Sequence, residues 1–108
     1  MPADHAAGDE RTLGGYMAVH ARPAAFEGVD GFSYSADILT DQTGEPSAPW
    51  GAYLLFVRWG YGEPEVQGHL ESDFMLRGTS EVVVRQQLGN MLLQTVKATL
   101  DGLIRARN

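Results

Sequence analysis

The segment Trp50 to Trp59 is apolar on both of its faces until Arg58 interrupts it. One face carries Tyr53, Leu55, Val57 and Trp59, and the other carries Trp50, Leu54 and Phe56. A strand of this kind must be covered on both sides, by its own chain or by a partner, so it belongs at the middle of a sheet. Its neighbours fit that placement. Phe32 to Thr40 alternates, with Phe32, Tyr34, Ala36 and Ile38 on one side and Ser33, Ser35 and Asp37 on the other. Val66 to Leu76 alternates again, with Val66, Leu70, Phe74 and Leu76 inward and Gln67, His69, Glu71 and Asp73 outward.

Turn chemistry separates these runs. Asp41 to Pro49 (DQTGEPSAP) is a polar loop, and Gly60-Tyr61-Gly62-Glu63-Pro64 reads as a hairpin connection. Glu27-Gly28-Val29-Asp30-Gly31 reads as a turn feeding the strand from Phe32. Tyr16 to Arg22 also alternates and is read as a strand. A short helix is the alternative there, with Leu13, Tyr16, Met17 and His20 at helical spacing, but Gly14-Gly15 makes it costly. Residues Met1 to Arg11 show no apolar period and are read as a mobile tail before one domain over 12–108.

Thr79 to about Ala106 is the longest periodic stretch. Thr79 or Ser80 can cap it, Glu81 suits the positive end of a helix dipole, and Arg105 and Arg107 suit the negative end. The expected fold is therefore α+β: an antiparallel meander of three or four strands with a long C-terminal helix packed on one face. On that helix Val84, Leu88, Met91, Leu92, Thr95, Val96, Thr99 and Leu103 form the stripe expected on the sheet. Val82, Leu93, Leu100 and Ile104 form a second stripe on its flank. The apolar arc is about twice the roughly 100° that one sheet needs. Either Phe26 and the segment after Pro23 fold over the flank or the sheet curls around it, or else the same helix of a second subunit, or a separate protein, covers it. Gly89 would permit the close approach of another backbone.

The composition narrows the function. The chain has 108 residues, a formal charge of −6 and no cysteine. Net acidity argues against a nucleic-acid partner, which requires a basic surface. No apolar run approaches the roughly 20 residues of a membrane span. No export signal is visible at the start, and the absence of cysteine makes a cytoplasmic location the default. Charge is uneven: through Leu76 there are twelve acidic and three basic residues (−9), and from Arg77 onward two acidic and five basic (+3). The acidic character thus belongs to the sheet and its loops, where it serves solubility or recognition of a basic partner.

Chemistry is sparse. His69, Glu71 and Asp73 share a strand face and are weak candidates for a divalent metal, with Asp37 joining them if the register allows. His20 beside Tyr16 reads as a packing histidine, and His5 as solvated. The thirteen glycines form no phosphate-loop or dinucleotide spacing, and Gly78-Thr79-Ser80 lacks a nucleophile elbow. No catalytic residue and no cofactor is expected. The amphipathic strand Val66 to Leu76, followed by Gly78-Thr79-Ser80-Glu81 and a long helix, resembles the closing strand and helix of bacterial secretion-chaperone-like small proteins of the YbjN type. That resemblance spans about 40 residues and implies an acidic α+β domain that dimerises and binds proteins rather than catalysing. The strand read at Tyr16 departs from it, since that family begins with a helix.

The expected function is a non-enzymatic interaction module, a homodimer with a possible protein partner. Its interface residues are Leu93, Leu100 and Ile104 on the helix flank, or Tyr53, Leu55, Val57 and Trp59 on the sheet. The alternative is a small-ligand or metal-binding domain using the cavity between helix and sheet, with His69, Glu71 and Asp73 at its rim.

Overall fold

A computed structural model describes residues 9–60 and 66–107. The tail before Asp9, including His5, and most of the hairpin read at Gly60–Pro64 lie outside the described residues. Strand β3 (Trp50–Trp59) is the spine. It pairs antiparallel with β2 (Ser33–Gln42) along all ten residues, from Ser33 opposite Trp59 to Gln42 opposite Trp50. Strand β1 (Ala24–Glu27) extends the sheet beyond β2. The other edge of β3 is shared by β4 (Val66–Glu71), beside Leu55–Trp59, and β5 (Leu76–Gly78), beside Trp50–Ala52. The architecture is α+β, with an antiparallel β1–β4 meander and the C-terminal helical region on one face.

The single strand expected from Val66 to Leu76 is thus two strands with a bulge between them. Ser72 ends β4 by exchanging bonds with Leu54: its N–H donates to the Leu54 carbonyl and its Oγ accepts from the Leu54 N–H, both at 3.0 Å. The Met75 N–H then bonds the Ala52 carbonyl, so residues 73 and 74 are surplus to the ladder. Phe74 is consequently not inward. It crosses to the opposite face, where its ring lies against Gly51 and meets Tyr53 edge-on at 5.8 Å. Val66 is not inward either: a register shift at Arg58/Trp59 places it opposite Trp59, and it is 57% exposed.

Residues 16–22, read as a strand, are helical for most of their length: α1 spans Leu13–His20. The Thr12 hydroxyl caps it by accepting the Gly15 N–H, and Ala21 closes it in the left-handed conformation with φ 53°. Tertiary contacts override the cost of its two glycines. A Cβ on Gly15 would lie 1.8 Å from the Asp9 carbonyl oxygen, and one on Gly14 would lie 3.1 Å from that of Gly89. The backbone that Gly89 admits is therefore α1 of the same chain, not another subunit.

That docking also interrupts the C-terminal helix, which was expected to run unbroken from Thr79. Helix α2 (Glu81–Gly89) ends at Asn90, and α3 (Leu93–Arg107) begins three residues later. In the gap, the Leu13 N–H takes the Met91 carbonyl at 2.9 Å and the Leu93 N–H takes the Arg11 carbonyl at 2.7 Å. Thr12 and Leu92 form an antiparallel bridge. Arg11, read as part of the tail, is thus tied into the fold. Ser80 caps α2 as expected, accepting from Val83 N–H.

The core lies between the helices and one face of the sheet. Tyr34, Ala36, Ile38, Ala52, Leu54, Phe56 and Leu70 are buried from the sheet side, and Val84, Leu88, Val96, Leu100 and Ile104 from the helices. Arg85 ties α2 to β2 by donating to the Ile38 carbonyl at 3.0 Å. Asp101 ties α3 to the β1–β2 turn by accepting the Val29 N–H at 2.9 Å, and it also pairs with Lys97. No helix among the described residues is long and apolar enough to cross a membrane.

Two stability tests follow from these contacts. Gly15→Ala is expected to destabilise despite alanine's better helix propensity, because the Asp9 carbonyl occupies the Cβ position. Gly102→Ala, with nothing within 4 Å of that Cβ, is expected to stabilise by roughly 0.5–1 kcal/mol in urea denaturation. For Asp101, burial pulls the carboxyl pKa up, but the Lys97 and Val29 bonds outweigh it and hold the pKa below 3.8. A lowered folded-state pKa gives stability present above that unfolded value and lost as pH falls through the folded one. Asp101→Asn is expected to cost about 1–2 kcal/mol at neutral pH, with the gap to the natural chain closing in strong acid.

Candidate functional site

Because side chains alternate along β3, covering one face with helices leaves the other to solvent. On the uncovered face Tyr53, Leu55, Val57 and Trp59 form a half-buried apolar row down the middle of the sheet. Leu39, opposite Tyr53 on β2, and Phe74 from the bulge widen it. The sequence period places Phe74 inward and gives Leu39 no site role. Leu39 follows from the parity of β2, whereas the bulge that delivers Phe74 has no counterpart in the apolar period. The Trp59 indole N–H donates to Ser35 Oγ at 3.0 Å, which holds the ring across β2.

Carboxylates rim this row. Asp37 on β2 and Glu71 on β4 flank Leu55 in one rung, and Asp41 lies opposite Gly51. Asp41, Glu71 and Asp73 line a shallow hollow of about 260 Å³ together with Tyr53 and Phe74. Arg77, on β5 opposite Gly51, is engaged over the Phe74 ring at 5.6 Å. Four carboxylates, Asp37, Asp41, Glu71 and Asp73, thus lie around an open apolar surface.

As a metal set, His69, Glu71 and Asp73 are not assembled. His69 Nε2 lies 3.7 Å from Glu71 Oε2, with both side chains at least half exposed. Asp73 sits beyond the end of β4, and Asp37 is two strand spacings from Glu71, roughly 9–10 Å. No group of three His, Asp or Glu side chains positioned for a metal occurs among the described residues. His20 stacks on Tyr16 at 4.3 Å, one helical turn away rather than across a strand, and contacts Glu10 Oε1 at 2.7 Å.

Of the helix-flank residues, Leu100 and Ile104 are 0% and 4% exposed and belong to the core; Leu93 packs against it, partly buried. The break at Asn90–Leu92 re-registers α3, so that Val96, Leu100 and Ile104 at i, i+4 and i+8 face inward. Leu92, expected on the sheet, is 44% exposed. Phe26 on β1 supplies part of the cover. Leu100 and Ile104 are therefore covered by the chain itself, while Val82 of the same flank is 62% exposed.

A cavity between helix and sheet does exist, at the far end of the covered face. It has a volume of about 550 Å³ and is lined by Tyr34, Arg58, Gly68, Leu70, Ile104 and Arg107, among others. His69 borders it at its backbone carbonyl, which Arg107 meets, while its side chain lies with Glu71 on the other side of the sheet. The chain matches no protein-family model, no curated protein and no solved structure.

The burial of Leu100 makes a direct test. Leu100→Ala is expected to cost about 2–5 kcal/mol in urea denaturation. Leu100→Glu is expected to unfold the chain rather than separate two folded subunits, which circular dichroism with light scattering distinguishes.

Proposed function

We propose that this protein is a non-enzymatic interaction module that docks an apolar, positively charged segment of another protein on the open face of its sheet. The observation that supports this most is the row Tyr53, Leu55, Val57 and Trp59, uncovered by any described element and bordered by Asp37, Asp41 and Glu71. An open apolar centre with a polar rim is the anatomy of a protein interface. The sign of the rim selects the partner: carboxylates favour lysine and arginine around the docked segment and speed its encounter.

Of the two dimer routes, the sheet face is the more open, and its charge opposes self-pairing. Two copies laid face to face bring Asp37, Asp41 and Glu71 of each against carboxylates of the other. A second copy is therefore the weaker occupant. The resemblance to secretion-chaperone-like proteins, which bind other proteins, points the same way. A chain without cysteine suits the reducing cytoplasm.

The test uses Trp59 as reporter in a Trp50→Phe background and, as probe, a ten-residue peptide of alternating valine and lysine, the length of β3. Emission is expected to shift to the blue and saturate, less tightly as salt is added. Leu55→Arg, which places a cation between Asp37 and Glu71, is expected to abolish the response while the fold persists. An equal response to a valine–glutamate peptide, or none to either, overturns the reading. A dimeric mass by light scattering that Leu55→Arg reduces to monomer would assign the face to a second copy instead.

A further inference from the structure

The cavity on the helix-covered side has a chemistry of its own, independent of the docking face. Tyr34 on β2, Arg58 on β3 and Gly68 on β4 form one rung across the sheet. The next rung inward is Ala36, Phe56 and Leu70, all buried beneath the helices. The Tyr34 rung continues the same face but carries a phenol, a guanidinium and no side chain at all. Gly68 adopts φ 151°, and a Cβ there would meet nothing within 4 Å. Space is left where a third side chain would otherwise stand.

Arg58 is held in this space. Its guanidinium lies over the Phe32 ring at 4.5 Å, which fixes the plane of the group. Its Nη2 reaches the Gln67 carbonyl only at 3.5 Å. Its Nε is buried and has no hydrogen-bond partner among the described residues. Buried donors are almost always paired, so the unpaired Nε–H leaves the guanidinium, which also interacts with the Tyr34 hydroxyl, short of one acceptor. Arg107 approaches from the end of α3, with Nη1 at 3.5 Å from the His69 carbonyl. Neither arginine forms an ion pair with a carboxylate among the described residues.

The one acidic side chain among the described lining residues, Asp30, is already used. Its Oδ2 accepts from the Tyr34 hydroxyl at 2.7 Å, and its Oδ1 accepts from the Phe32 N–H at 3.1 Å. Among the described lining residues, two guanidinium groups against one carboxylate leave a single positive charge, in a chain whose formal charge is −6. Leu70 and Ile104 supply an apolar wall.

We propose that this cavity binds a small organic monocarboxylate, its two oxygens on the Nε–Nη2 edge of Arg58, Arg107 beside them, and its apolar body against Leu70 and Ile104. Carboxylate geometry matches the guanidinium edge, which presents two parallel N–H groups. One net positive charge matches a monoanion better than a phosphate dianion, which would also face Asp30. A volume of about 550 Å³ lies within the range of small-molecule sites.

Phenylacetate is the probe, with benzyl alcohol as its uncharged counterpart and inorganic phosphate as an anion without an apolar body. Amide resonances of Gln67, Gly68 and Leu70 are expected to shift saturably with phenylacetate alone. Arg58→Lys, which keeps the charge but not the paired edge, is expected to weaken binding by about tenfold. Arg58→Met is expected to abolish it. If Arg58→Met does not fold, Arg107→Gln on the exposed helix end serves in its place and is expected to weaken binding severalfold. Equal shifts with benzyl alcohol, equal shifts with phosphate, or the absence of saturation each overturn the proposal.

Discussion

Strand β3 is the constraint on which the rest depends. Its ten residues pair with β2 along their whole length on one side and with β4 and β5 in succession on the other. Nearly all its backbone groups are thereby satisfied in the ladder, and its side chains have only two directions to take. Ala52, Leu54 and Phe56 go to the helices and are fully buried. Tyr53, Leu55, Val57 and Trp59 must take the other direction, and no described element covers them. The candidate interface is thus a consequence of the same pairing that makes the core, not a separate addition to the fold.

Charge and packing divide the two faces in a way that suits two kinds of contact. Aspartates and glutamates gather around the open apolar row, where water screens them and a cationic segment would find them. On the covered face, the packed rungs give way at Tyr34, Arg58 and Gly68 to a small cavity of opposite sign. Arg58 interrupts an otherwise apolar strand at the rung where a cavity, rather than packed side chains, separates α3 from the sheet, and its cation lies over Phe32.

The helical region shows how local signals yield to tertiary ones. Valines at the start, a serine cap and a continuous apolar period all describe a helix from Thr79 onward, and Ser80 does cap it. The interruption at Asn90–Leu92 comes from elsewhere in the chain: residues 11–13 insert, bond Met91 and Leu93 through the backbone, and bring Gly14 against Gly89. Restarting the helix turns its apolar stripe, so that Leu100 and Ile104 leave the supposed flank and enter the core. Most of the apolar excess that suggested a second subunit is absorbed in this way, although Val82, Val83 and Leu92 remain exposed.

From the sequence alone, the positions of β2 and β3, the face each side chain takes on them, the Ser80 cap and the concentration of acid on the sheet are all legible. These depend on period-2 alternation and on residues within a turn of each other, which a linear chain carries directly. The bulge that brings Phe74 beside Tyr53, the helix at Leu13–His20, the break between α2 and α3 and the Tyr34–Arg58–Gly68 rung are not. Each is decided by contacts between residues far apart in the chain: Ser72 with Leu54, Gly14 with Gly89, Arg11 with Leu93, and three strands in register. Backbone bonds and close approaches at such separations leave no period in the sequence, so only the tertiary structure could decide them.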